Sequence, residues 1–409
     1  MSGLNKHTLL QSLLFWVLLA ILAGIGLGLI MPNWFIAIFA TFNEVFGSFL
    51  GFAVPLIIVG LITPAIAGLG KTAGKWVLIT VALAYGSTLV AGFGTYGLAT
   101  QIFPSLLAGE SLQSLTEPQN TVQSFLQGSL TIPAPFGVMT ALVLSFALGI
   151  CMAFLQTPTL QTVFFEFKKV IMLLIRRLIV PLLPVHIFGI FMNMTRSGEI
   201  VVVLVAMAKV VVFSIILTFV ILILQYIIAG LFTKTNPLRA LKNMLPAYFT
   251  ALGTASSAAT IPVTLGCAEK NGVSQEVAGF TVPLCATIHL AGSTTKIVAF
   301  ALAVMYMTGM PINFAAFSGF ILMLSVTMIA APGVPGGAIT ASQGVLTSML
   351  GFTDPMYGLM VALYVAIDSF GTACNVTGDG AISLIVNKIA KGQIGERLHQ
   401  IDDSEFELA

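Results

Sequence analysis

The chain is a succession of long apolar runs separated by short polar stretches. The first six runs cover residues 12–31, 46–69, 76–103, 136–155, 178–194 and 201–232. A bilayer crossing takes about 20 helical residues, so the pattern predicts six fairly conventional spanning helices. No small-residue cleavage site follows the first run, which therefore reads as a retained helix rather than a signal peptide.

Beyond Lys242 the pattern changes. Residues 243–272 are only half hydrophobic and carry "TASSAATIP". Residues 277–309 are apolar around "HLAGSTTK", and 315–350 are cut in the middle by "APGVPGGAIT". Glycine and proline clusters inside membrane-length segments mean broken helices or re-entrant loops. Backbone groups freed at that depth survive only where they line a cavity or are buried in protein. Two interrupted segments in corresponding positions point to a transporter binding site. Here the pair is 254–262 and 332–340. Ordinary proline-kinked helices are the bland alternative.

Composition sharpens the class. Charged residues are 8% and hydrophobic residues 57%, against about 25% charged in soluble domains. So little polar surface cannot cover a soluble globule, and the chain is a polytopic helical membrane protein. The net charge of +2 identifies no partner, and nothing points to nucleic acid. Charge position says more. Lys71 and Lys75, then Lys168, Lys169, Arg176 and Arg177, then Lys234, Arg239 and Lys242 fall in alternate loops, while 104–130 holds Glu110 and Glu117 without Lys or Arg. Basic loops stay inside, so the N-terminus is expected in the cytoplasm. Cys151, Cys267, Cys285 and Cys374 form no CxxC pair and read as small apolar side chains.

The last run, 357–386, contains "DSFGTACNVTGD". Asp368, Thr372, Asn375 and Asp379 stand at offsets 0, 4, 7 and 11, which at about 100° per residue is a stripe roughly 60° wide. Ionisable residues in the membrane face the bundle interior or a wet cavity and are functional by default. A helix–helix hydrogen-bonding seam would suit Thr372 and Asn375, but two acids without partners cost several kcal/mol each. Their hard oxygen ligands suit sodium or an ammonium group, so the acids are expected to be held by cations that the protein carries. An aspartyl-protease dyad is excluded, because its acids share one proton at about 3 Å; Val376 also stands where the GxGD pattern needs glycine.

These segments resemble the dicarboxylate/amino acid:cation symporters, which include glutamate transporter homologues and neutral amino acid exchangers. "NPLRALKNMLPAYFTALGTASSAATIPVT" is similar to the family's first hairpin, "TVPLCATIHLAGST" to its seventh helix, "GVPGGA" to the tip of its second hairpin and "NVTGD" to its eighth-helix motif. The resemblance implies eight transmembrane helices plus two re-entrant hairpins, inverted repeats, elevator-type movement and a homotrimer in an inner or plasma membrane. It assigns residues 1–235 mainly to the scaffold and leaves helices three and six open between scaffold and transport core. It assigns 236–390 to that core and 391–409 to a cytoplasmic tail. By the same resemblance, Asp368 takes a substrate ammonium, Thr372 and Asn375 line the substrate, and Asp379, with His289, Ser293 and Asn375, serves the cation. Ser256 and Ser257, and Val334, Pro335 and Gly336, meet the substrate carboxylate at helix N-termini. No cofactor is implied beyond sodium or a proton as coupling ion.

Three departures bear on the substrate. Acidic-amino-acid members place an arginine three residues after the first aspartate; here Gly371 stands there, and Ala255 occupies the other arginine position. Glutamate and aspartate are therefore disfavoured unless Lys296 reaches over. The family's NMDGT reads His289, Leu290, Ala291, Gly292, Ser293, so a sodium-binding aspartate is Ala291. Lys296 lies about 13 residues from Gly309, too deep to snorkel. It is either satisfied by carbonyls of an unwound segment or is a tethered charge replacing a sodium, paired with Asp379 or Asp368. Ser87 and Thr88 fall where the family's third helix adds cation ligands; Lys209 and His186 receive no role. The leading expectation is a secondary transporter coupling a small neutral amino acid to sodium or protons. A dicarboxylate symporter using Lys296, and a passive channel, are the competing readings.

Overall fold

A computed structural model describes residues 13–68, 74–110, 122–127, 129–130, 132–155, 157–198, 200–329, 331 and 336–390. They form fifteen α-helices: α1 (Leu13–Ile30), α2 (Asn33–Gly68), α3 (Gly74–Leu106), α4 (Val138–Leu155), α5 (Pro158–Leu174), α6 (Val180–Arg196), α7 (Ile200–Thr233), α8 (Pro237–Thr254), α9 (Ser257–Lys270), α10 (Gln275–Ile288), α11 (Ala291–Met307), α12 (Phe314–Ile329), α13 (Gly337–Leu350), α14 (Asp354–Ala366) and α15 (Asp368–Ala390). By length and composition five spans cross a membrane, or six if the bent pair α14–α15 counts as one, with three shorter apolar helices beside them. The chain is thus an all-helical, multi-span membrane protein; span length alone does not reach the eight helices of the resemblance.

Local chemistry sets several boundaries. Asn236 caps α8, accepting from the Arg239 N–H at 3.1 Å ahead of Pro237, and Ser274 caps α10 through the Val277 N–H at 3.4 Å. Gly351, at φ +71°, ends α13 in the left-handed conformation glycine adopts freely. Two readings need correction. Lys168, Lys169, Arg176 and Arg177 are not in a loop. They lie in α5 and in a π-helical turn, Ile175–Ile179, that joins it to α6 as one apolar span. Pro181 cannot donate to the Arg177 carbonyl, and a π turn absorbs that missing bond. The run 357–386 is likewise not one helix: α14 and α15 meet at Ile367 with a 63° bend.

Packing sorts the helices by their surroundings. α1 packs along α6, where added Cβ atoms on Gly24 and Gly28 would stand 2.8 and 2.7 Å from the Phe188 and Met192 carbonyls. Small residues four apart permit that close approach in lipid. α2 packs on α4, α5 and α6. α15 sits at the centre of a second group, touching α3, α7, α8, α9, α10 and α11. It carries Asp368, Thr372, Asn375 and Asp379, and its residues from Gly371 to Leu384 are all buried. A polar helix belongs there because exposure to hydrocarbon would leave its side chains unsatisfied.

Candidate functional site

The stripe on α15 meets a second polar stripe running the opposite way from the end of α10 into α11. Three pairs cross the contact. His289 Nδ1 lies 2.9 Å from Asp379 Oδ1. Asn375 Nδ2 donates to Ser293 Oγ at 3.1 Å, and Asn375 Oδ1 accepts from the Gly292 and Ser293 N–H groups at 2.8 and 3.3 Å. Lys296 Nζ lies 3.3 Å from Asp368 Oδ1. Positions 289, 293 and 296 thus answer 379, 375 and 368, as the antiparallel register of two packed helices requires. His289 is not on the helical face of Ser293 and Lys296: the span is broken at His289 and Leu290, between α10 and α11.

Both acids, expected to be held by carried cations, also have partners within the protein. Each carboxylate has a basic partner in the protein's own framework, and the seam includes the acids because bases stand opposite them. Asp379 in particular is engaged by the imidazole of His289 where a sodium ligand was expected.

Lys296 is fully buried. Its ammonium also donates to the Ile367 and Asp368 carbonyls, each at 3.3 Å, and sits 3.8 Å from the centroid of the Tyr364 ring. These carbonyls belong to the bend between α14 and α15. This lysine satisfies backbone at an unwound point and pairs with Asp368, not Asp379. The unwound point is the bend between α14 and α15 rather than the break between α10 and α11. Gly371 makes room for it, because a Cβ there would stand 2.5 Å from Nζ and closer still to Cε. The volume next to residue 371 is filled by the lysine stem.

The His289 end is built by four helices. Ser87 Oγ on α3 lies 3.0 Å from His289 Nε2, and Gln225 Nε2 on α7 donates to Ser87 Oγ at 2.9 Å. Gly378 on α15 leaves space for both, since a Cβ there would be 2.6 Å from Gln225 Oε1 and 2.7 Å from His289 Cε1. Tyr226 donates to the Thr377 carbonyl at 2.8 Å and ties α7 to α15. An apolar cavity of about 210 Å³ between α3, α7 and α15 reaches Ser87, Gln225 and Gly378. Thr88 bonds back to the Ala84 carbonyl instead.

The hairpin tips are placed less evenly. At the first, Ala255 adopts φ +48°, and Ser256 caps α9, its hydroxyl accepting from the Ala259 N–H at 3.3 Å. Ser257 is buried at the first turn. Among the described residues neither serine bonds to Asp368, although α8 and α9 both pack on α15. At the second tip, the Gly336 N–H donates to Asp368 Oδ2 at 2.8 Å. Val334 and Pro335 lie outside the described residues. Thr372 bonds to the Asp368 carbonyl at 3.1 Å, within its own helix.

Sequence reasoning missed Gln225, Tyr226 and Tyr364, whose hydroxyl donates to Ser293 Oγ at 2.9 Å. Gln225 had a signal: it is an amide inside an otherwise apolar span. Lys209 pairs with Glu110 at 2.9 Å, and His186 Nδ1 lies 3.0 Å from the Asn43 side chain; both are remote from the seam.

Asn375 is the hinge of the middle pair. Asn375→Ala removes three hydrogen bonds and leaves two buried N–H groups at the start of α11, each worth about 1–3 kcal/mol when unsatisfied. A clear drop in the thermal midpoint of the detergent-solubilised protein is expected. An unchanged midpoint would mean that the seam tolerates its loss.

Residues 13–389 match the sodium:dicarboxylate symporter family. The serine/threonine transporter SstT of Acinetobacter baumannii (strain AYE) is 28% identical over 386 residues, covering 90% of this chain and 94% of that protein. Excitatory amino acid transporter 1 of Homo sapiens is 31% identical over 178 residues, which is 43% of this chain and 33% of that protein. An excitatory amino acid transporter of Caenorhabditis elegans is 32% identical over 163 residues, 40% of this chain and 32% of that protein. The chain spans about a third of the excitatory transporters it matches and nearly all of the serine/threonine transporter.

Proposed function

The chain belongs to the sodium:dicarboxylate symporter family, and on that premise we propose that it imports a small neutral amino acid, coupled to sodium or protons, across an inner or plasma membrane. It is a cation-coupled symporter and not an enzyme; the substrate is the new assignment. The observation that carries it is the state of Lys296. An acidic substrate needs an unbalanced cation for its second carboxylate. Gly371 and Ala255 supply none, and the Lys296 ammonium is already divided among Asp368 and two carbonyls. Lys296 and Asp368 together carry no net charge, which matches a zwitterion.

In this reading the substrate ammonium approaches Asp368, whose two oxygens each hold one side-chain or tip donor and retain acceptor capacity. The carboxylate then faces the N-termini of α9 and α13, where helix dipoles favour an anion. The near full-length match to a serine/threonine transporter supports a small hydroxylated or aliphatic side chain. We extend the resemblance to a trimer built on α1, α2, α4, α5 and α6, with both termini cytoplasmic.

A competition panel in proteoliposomes tests the selectivity. Unlabelled serine, threonine and alanine should suppress labelled serine uptake, while aspartate, glutamate and succinate should not. Replacing sodium by choline in the same assay tells sodium from protons. Suppression by dicarboxylates in preference to neutral amino acids would overturn the proposal.

A further inference from the structure

The Lys296–Asp368 pair has a consequence for the half of the cycle in which no substrate is aboard. Asp368 is buried, and the described residue opposite it is Lys296. When a substrate ammonium departs, a carboxylate in this position would be left with no cation in a low-dielectric core, the costly arrangement for a buried charge. Lys296 stands where it removes that problem. Its ammonium has three oxygen acceptors, and a substrate ammonium competes for only one of them, Asp368 Oδ1. With substrate bound, the Ile367 and Asp368 carbonyls and the face of Tyr364 remain to hold the lysine. With substrate gone, the lysine is already within reach of the carboxylate.

The same carboxylate is bonded to the second hairpin: Oδ2 accepts from the Gly336 N–H while Oδ1 faces Lys296. Asp368 thus bonds the internal cation and the residue that precedes α13 at once. Lys296 and Asp368 lie on α11 and α15, which pack directly on one another, whereas Gly336 precedes α13.

We propose that Lys296 is the built-in counter-cation of the substrate-free carrier: it neutralises Asp368 while no substrate ammonium is aboard, so that the protein performs net uptake rather than obligatory exchange. The inference rests on the reading of Asp368 as the ammonium partner. No other described basic side chain can replace Lys296 there, since His289 is engaged with Asp379 at the far end of the seam. Gly371 is part of the device, because any side chain on it would displace the lysine stem.

The test compares two modes in the same proteoliposomes. Net uptake is measured into vesicles without internal amino acid, and exchange into vesicles preloaded with unlabelled serine. For Lys296→Met, net uptake should fall by about tenfold or more relative to exchange, as expected when a buried acid loses its only described cationic partner. Lys296→Arg, which keeps the charge, should retain the wild-type ratio of the two modes. Lys296→Gln reads the same contrast if the methionine variant fails to fold. Net uptake by the neutral variants at the wild-type rate would overturn the inference. So would joint loss of exchange and net uptake in a folded neutral variant, because Lys296 would then serve substrate binding itself. If wild type moves no neutral amino acid in either mode, the proposed substrate fails instead, and the two modes are compared with the carboxylate that the competition panel identifies.

Discussion

Replacing Asp368 by Asn removes transport while leaving the protein in the membrane. Truncating the charge of one partner in a buried pair costs enough to slow uptake by about two orders of magnitude or more. The substrate ammonium loses its counter-ion, and Lys296 becomes an uncompensated cation next to the binding site. The fold should survive, because the Ile367 and Asp368 carbonyls still hold the lysine and the Asn375–Ser293 pair is untouched. Uptake normalised to the amount of protein, together with its elution profile in detergent, reads both halves. Uptake within a few fold of wild type would remove Asp368 from the substrate's path.

Gly292→Ala is expected to damage folding and transport together. A Cβ there would stand 2.6 Å from the Gly371 carbonyl and 2.7 Å from Cys374 Cβ. The first of these is backbone and cannot rotate away, so α11 and α15 must separate. Overpacking of this kind costs about 1–3 kcal/mol, and all three crossing pairs share the strain. Gly266→Ala, with nothing within 4 Å of its added Cβ, is the control. A fall in thermal midpoint and uptake for Gly292→Ala, with neither for Gly266→Ala, is the predicted result.

The polar stripe on α15 is visible in the sequence because residue types at offsets 0, 4, 7 and 11 need only one helix to be interpreted. Its complement at 289, 293 and 296 is visible too, but joining the two needs the register and direction of a tertiary contact. That is why a seam with Thr372 and Asn375 seems unable to absorb two acids until His289 and Lys296 stand across from them. Thr372 itself turns back to its own helix. The bend at Ile367 carries no glycine or proline to announce it; its stabilising partner, Lys296, lies 71 residues away. Gln225 and Ser87 matter only because α3 and α7 converge on His289. The interruption in 254–262 follows from local composition, and there α8 ends at Thr254 and α9 begins at Ser257.

Concentrative uptake is the most direct test of the central claim. Purified protein in sealed proteoliposomes, given labelled serine outside and an inward cation gradient, should raise the internal serine concentration above the external one. An ionophore that collapses the gradient should release the excess. A serine level that rises only to equality with the outside, with or without the gradient, would contradict a coupled symporter.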